Sequence, residues 1–221
     1  LALVVRRAQH LAGNDRATFG PMLGATRDSE LDGQPNAAAT GDGADEDGIV
    51  ALGPLVLGYS TFISITASAA GFVNAWADLN FNNAFDSEEQ FLVNYAVNAG
   101  VNTVAFYLPE GFLPQAALPR DVVVRYRLTS YSVAAPSATG LEFDGEVEDY
   151  VGTIYDPTFV LWGDSLTSTG TSGDDVYILD LEARTLSVNG VVRAIPLAIT
   201  NFVLNSGAGH DTLTIEGASG A

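Results

Sequence analysis

Apolar residues in this chain recur at alternate positions far more often than at the spacing of a helix face. They come in short β-branched and aromatic runs set off by Gly, Asn, Asp and Pro. The pattern predicts strands at residues 55–67, with a break near Gly58, and at 72–79, 90–97, 102–108, 122–130 and 146–154. A second series follows at 175–181, 185–188, 191–195, 199–204 and 212–215. Short strands repeated in this way predict an all-β chain whose antiparallel sheets pack as a β-sandwich of jelly-roll or Ig-like type. Asn189-Gly190, between two of the runs, is the turn pair of a two-residue hairpin. Asp156-Pro157 marks a boundary, because the chain there changes to Ser-, Thr- and Gly-rich sequence. The expected organisation is an N-terminal segment with an acidic loop at 1–48, a sandwich core at 49–156 and a small β module at 157–221.

Charge and composition narrow the chemistry. The 221 residues are 47% apolar, enough for a buried core, yet 27 acidic residues face only 9 basic ones for a net charge of −18. All the basic residues are arginine; there is no lysine. Such a surplus repels phosphate backbones and anionic lipid, which argues against nucleic acid as a partner and makes divalent cations the natural counter-charge. The absence of cysteine removes disulfides, thiolate metal sites and thiol nucleophiles together. His10 and His210 are too few for a histidine metal site or triad. No apolar run approaches the roughly 20 residues of a membrane span. Residues 1–5 are apolar but precede Arg6-Arg7, the reverse of a secretory signal, so the sequence reads as a processed or partial chain.

One segment has ligand spacing. From Asp78 to Glu89, side-chain oxygens fall at positions 1, 3, 5, 9 and 12 of a twelve-residue loop, at Asp78, Asn80, Asn82, Asp86 and Glu89. The Ala84 carbonyl is available at position 7, and Glu88 is a neighbouring alternative. A hard cation such as Ca2+, which takes six to eight oxygens, is wrapped by a loop of this kind. Position 6 usually carries glycine for a sharp turn; here it is Asn83, which tolerates the left-handed region. The flanking runs read as strands, so the loop joins two strands. The same residues also suit a polar hairpin loop without an ion.

A second acidic group is Gly145-Glu146-Val147-Glu148-Asp149. Alternation places Glu146 and Glu148 on one face of a strand, and Val147, Asp149 and Val151 on the other. Two readings stay open: an edge strand that uses charge against aggregation, or a calcium site shared with Asp45, Glu46 and Asp47. The tract 28–48, rich in Asp, Glu and Gly, reads as a structured acidic loop, whereas composition alone favours a solvated, mobile one.

These motifs together resemble the GEVED domain, named for the string at 145–149. The resemblance runs from about residue 10 to 154. It takes in Leu23-Gly24, Asp28-Ser29-Glu30-Leu31-Asp32-Gly33-Gln34-Pro35, Asp45-Glu46-Asp47-Gly48, Trp76-Ala77-Asp78-Leu79-Asn80 and Arg125-Tyr126-Arg127-Leu128. It implies a β-rich, calcium-binding, non-catalytic part of a secreted or cell-surface bacterial protein.

The tail carries another signature. Residues 170–178 and 206–214 resemble the haemolysin-type nonapeptide repeat, in which an aspartate, here Asp175 or Asp211, binds calcium between stacked turns. The two copies lie 36 residues apart instead of nine, so neither is expected to have an adjacent turn from its own chain, which favours plain Gly-Asp β-turns.

An enzyme would have to be built from carboxylates, such as Glu146 with Asp78 or Glu88 with Glu110, and no feature sets either pair at a catalytic separation. The expected function is therefore not enzymatic: a calcium-binding structural or adhesive module, extracellular or at the cell surface. Strand addition through residues 1–5 and an open edge at 212–215 would link copies or neighbouring modules into filaments, or both ends are covered within a longer chain. The competing expectation is a carbohydrate-binding sandwich attached to an extracellular enzyme, which stacks glycans such as those of cell surfaces on Trp76, Trp162, Tyr59, Tyr95, Tyr107 and Tyr131.

Overall fold

The alternating pattern folds as strands throughout. The computed structural model describes residues 8–10, 20–26, 47–108 and 118–217, and among them the only helical element is a single 3-10 turn at Ser87–Glu89. The first ten strands are β1 (Ala8–His10), β2 (Ile49–Ala51), β3 (Leu55–Val56), β4 (Ser60–Ala67), β5 (Gly71–Ala77), β6 (Gln90–Val97), β7 (Gly100–Tyr107), β8 (Arg120–Thr129), β9 (Gly140–Glu142) and β10 (Glu146–Tyr155). Seven more follow: β11 (Val160–Trp162), β12 (Ser165–Thr169), β13 (Val176–Asp180), β14 (Thr185–Val188), β15 (Val191–Ala194), β16 (Asn201–Asn205) and β17 (Thr212–Glu216). Residues 1–5, Asp45, Glu46, Glu110 and most of the 28–48 tract lie outside the described residues.

Contacts divide the chain into two compact units. The first is drawn from Leu1–Gly53, Tyr59–Leu113 and Asp121–Thr153, the second from Pro54–Gly58, Pro114–Arg120 and Ile154–Ala221. In the first unit β2, β4 and β7 form one antiparallel sheet, and β10, β8, β5 and β6 neighbour one another in another. Strand β4 alternates, with Ile63 and Ile65 buried beside Val104 of β7 while Phe62 faces water. Strands β5 and β8 are buried on both faces. One face carries Val73, Ala75, Tyr126 and Leu128, and the other sets Trp76 opposite Arg125 and Asn74 opposite Arg127. Phe91 joins the two sheets, its ring centroid 4.6 Å from Phe106 and 6.0 Å from Tyr126.

The second unit has its own core, with Leu166, Tyr177, Leu179, Leu186, Ile195 and Ile199 all buried. Strands β13, β14 and β15 form an antiparallel meander, and Asn189 and Gly190, at φ 51° and 83°, make the expected hairpin turn. The expectation of purely antiparallel sheets is corrected in four places: β1 with β9, β3 with β10, β12 with β16 and β13 with β17 run parallel. Parallel partners come from distant crossovers, which the alternation within a strand does not encode.

Candidate metal centre

The loop from Asp78 to Glu89 links the antiparallel pair β5 and β6. Its first turn is anchored from both sides, since Asp78 N donates to the Val123 carbonyl at 3.0 Å and Leu79 is fully buried. The short polar side chains then organise their own backbone, as Asx turns do. Asp78 Oδ1 accepts from Asn82 N at 3.1 Å and Oδ2 from Asn83 N at 3.0 Å, while Asn80 Oδ1 accepts from Asn82 N and Asn82 Oδ1 from Ala84 N. Asn83 takes the left-handed turn at φ 60°, and so does Phe81 at 57°, which the sequence did not flag.

The far half closes on the near half. Asp86 Oδ2 accepts from the side-chain amides of Asn80 at 2.9 Å and Asn82 at 2.8 Å. Glu89, fully buried, accepts from Asn80 N and Asp86 N, each at 2.9 Å, whereas Glu88 points outward. Burial raises the pKa of both Asp78 and Glu89, their backbone donors offset part of that, and the charge of Asp86 adds to the rise in both. Among the described residues no arginine forms an ion pair with these three carboxylates, and no group of three or more His, Asp or Glu side chains is gathered into a ready metal cage. The loop as it stands is closed by N–H donors. Its side chains nevertheless supply a set of hard oxygen donors: a half-turn of the Asn80 and Asn82 amides puts an oxygen where each NH2 now sits, at the cost of the bonds that the two Oδ1 atoms accept from Asn82 N and Ala84 N.

The second acidic group has a different use for each residue. Gly145 is at φ 103°, and a Cβ there would fall 1.7 Å from the Leu128 carbonyl oxygen, so only glycine fits. Glu146 accepts a short hydrogen bond from Leu23 N. Val147 is buried. Glu148 Oε1 accepts from Asp47 N at 3.3 Å and Gly48 N at 3.2 Å, and Oε2 accepts from the Tyr150 hydroxyl at 3.0 Å. Asp149 faces the other way and holds Arg125 in a two-point contact of 2.7 and 2.6 Å, with both side chains fully buried.

The alternation of faces thus holds, but the edge-charge reading is corrected: Glu146, Glu148 and Asp149 are 6%, 1% and 1% exposed, and charge shielded from water cannot repel another edge. Asp47 does reach Glu148 through its amide, while its own carboxylate accepts from Ala25 N and the Thr26 hydroxyl. Burial pushes the Glu148 carboxyl up to about 7, with Asp47 adding to the rise and the three donors opposing it.

In the tail, Asp175 is buried and fully engaged. It accepts from Thr171 N at 2.7 Å, from the Thr171 hydroxyl and from Asn189 Nδ2 at 2.6 Å, and the Asn189 contact leads in holding its pKa below the usual value. The expectation that a 36-residue separation leaves each turn without a neighbour is overturned. Asp211 Oδ1 accepts from Asp175 N at 2.9 Å and Asp174 Oδ1 from His210 N at 2.8 Å, so the turns are adjacent. Of the aromatics put forward for sugar stacking, Trp76 is withdrawn because it is 2% exposed; Trp162, Tyr59, Tyr95 and Tyr107 are accessible.

No curated protein and no solved structure matches the chain. The residues that hold the 78–89 loop, the buried Arg125–Asp149 pair and the Gly145 turn lie together in one segment. That segment, residues 72–152, matches the family model of the GEVED domain.

Proposed function

We propose that the chain is a non-catalytic, calcium-binding structural or adhesive module of a secreted or cell-surface protein, with the ion held by the 78–89 loop. The observation that carries this reading is the placing of Asp78, Asp86 and Glu89 in one loop, interleaved with Asn80 and Asn82, with no ion pair to an arginine among the described residues. Asp78, Asn80, Asn82, Asp86 and Glu89 would hold the ion, with the Ala84 carbonyl as backbone donor. Bound calcium supplies the positive charge that the three carboxylates lack. The chain's own contribution is to pin the loop by Leu79 and by the Asp78 amide, so that it staples β5 to β6 in a protein without cysteine. The Phe91 contacts between the two sheets of the first unit support a sandwich as its architecture.

A second reading, glycan binding, is favoured by one feature. On the open face of the β4–β7 sheet, Phe62 and Tyr107 are exposed in neighbouring rows beside Ser60, Ser64 and Thr103, without a charged side chain among them. A glycan-array screen of the parent chain against Phe62→Ala and Tyr107→Ala checks it.

Calorimetric calcium titration and melting curves in calcium or EDTA test the primary reading. A site binding only the folded state stabilises by about 2.7 kcal/mol at a hundredfold excess over Kd. Asp78→Ala also loses two loop hydrogen bonds, so the decisive quantity is the calcium-dependent increment in melting temperature, which is expected to vanish in Asp78→Ala and Asp86→Ala. Identical melting of the parent chain in calcium and in EDTA rules the site out.

A further inference from the structure

The second unit contains a repeat that the order of its strands along the chain conceals. Ser165–Thr169 pairs in parallel with Asn201–Asn205, and Val176–Asp180 with Thr212–Glu216; in every pair the partners are 36 residues apart. The turns between those strands stack at the same offset through Asp175 N to Asp211 Oδ1 and His210 N to Asp174 Oδ1. Strand, glycine turn and strand are thus laid down twice in one register, as two rungs of a parallel β-solenoid.

The two ends of this stack differ. The first rung is covered, by β11 along β12 and by the β14–β15 hairpin along β13. In the second rung β16 and β17 are each the last strand of their sheet among the described residues. The interior positions show the same asymmetry: Tyr177 and Leu179 are 2% and 4% exposed, while Leu213 and Ile215, their partners one rung on, are 52% and 53% exposed. The turn ladder also stops there. Asp175 N is taken by Asp211 Oδ1, but among the described residues nothing accepts from the Asp211 amide.

We propose that this open face is a docking surface for one further coil of the same 36-residue pattern, added in parallel. Its strands would set alternate apolar residues on Phe202, Leu204, Leu213 and Ile215, and its Gly-x-Asp turn would offer a carboxylate to the Asp211 amide. The occupant follows from continuity with the interface already built between the first and second rungs: the same edge direction, the same interior positions and the same turn acceptor are presented again. A second copy of this chain docking head to tail would need a free first rung, and that rung is covered. The proposal is independent of calcium at the 78–89 loop, and its test runs in EDTA.

The full chain is extended in tandem by a copy of residues 201–216, joined after Ala221 through a Gly/Ser linker that together with residues 217–221 is as long as the native 181–200 connection, which leaves out the hairpin. Hydrogen exchange is read at the β17 amides. With the extension, amides facing the free edge are expected to slow by roughly tenfold or more. The double substitution Leu213→Asp with Ile215→Asp should restore fast exchange while β12 and β13 stay protected, showing the first rung intact. Replacing only the added turn aspartate by alanine should speed exchange at Asp211 specifically. Unchanged β17 exchange in the extended chain overturns the proposal. So does sedimentation of the unextended chain as a dimer with β17 already protected, which would make a second copy the occupant.

Discussion

Glu148 shows how one buried side chain can set a pH response. Its carboxyl sits among two backbone amides and a tyrosine hydroxyl, yet burial and the neighbouring Asp47 keep its proton on to about pH 7. In the unfolded chain the same group releases its proton near 4.5. Between these values the folded state binds more protons at this group, so its contribution to stability is fully present below about pH 4.5 and is lost as pH rises towards 7. Glu148→Gln removes that titration. The stability of Glu148→Gln relative to the parent should therefore rise with pH across this window, by on the order of 3 kcal/mol in total. Urea unfolding of both proteins at pH 4.5 and pH 8 measures it; a constant difference refutes the buried charge. Asp149, one residue on, faces the other way and meets the Arg125 guanidinium in two-point geometry. Alternation alone predicts the opposite faces of these two acids; the Gly48 amide that Glu148 meets lies 100 residues away and the Arg125 guanidinium that Asp149 meets lies 24 away, so neither was legible.

Strands β13 and β17 are matched elements in different surroundings. Leu179 and Ile215 are register partners on the same side of one sheet, but a rung is stacked over the first and not over the second. Leu179→Asp places a carboxylate inside the core with no cation beside it, and desolvation of that charge exceeds what a small unit can tolerate. The circular-dichroism melt of Leu179→Asp should lose the cooperative transition of the second unit. Ile215→Asp, at a half-exposed site, should shift the melt by less than about 1 kcal/mol in equivalent stability. Equal effects would mean that β17 is covered in solution. The sequence read β13 to β17 from alternation and the Asn-Gly turn, but it passed over β12, whose Ser-Leu-Thr-Ser-Thr has one apolar residue. That strand is defined by its neighbours on either side, β11 and β16.

For the molecule as a whole, the net charge of −18 is the largest uncompensated quantity, because only nine arginines oppose 27 acids and, among the described residues, Arg125 and Arg127 are buried. Self-repulsion among surface carboxylates destabilises the folded state and is screened by salt. In EDTA, the melting temperature should rise as sodium chloride goes from about 10 mM to about 150 mM, as the Debye length contracts from roughly 30 to 8 Å. A melting temperature that falls over this range contradicts the repulsion argument. Running the series without divalent ions keeps this general effect apart from occupancy of the 78–89 loop.

What the sequence determined by itself is local. Period-two alternation marks β4 to β8 and β10, Asn189-Gly190 sets the hairpin, and the spacing of Asp78, Asn80, Asn82, Asp86 and Glu89 gathers five polar side chains in one turn-rich loop. These features follow from side-chain direction and backbone angles within a few residues, so a single stretch of chain is enough to specify them. Tertiary structure alone decided that Leu23 N meets Glu146 across 123 residues, that Gly48 N meets Glu148 across 100, that Trp76 lies inside, and that turns 36 residues apart stack into rungs. Each of those pairings is one among many that the same strands could make. The choice rests on which arrangement buries the apolar faces while leaving every enclosed carboxylate a donor, a condition that only the assembled sheets impose.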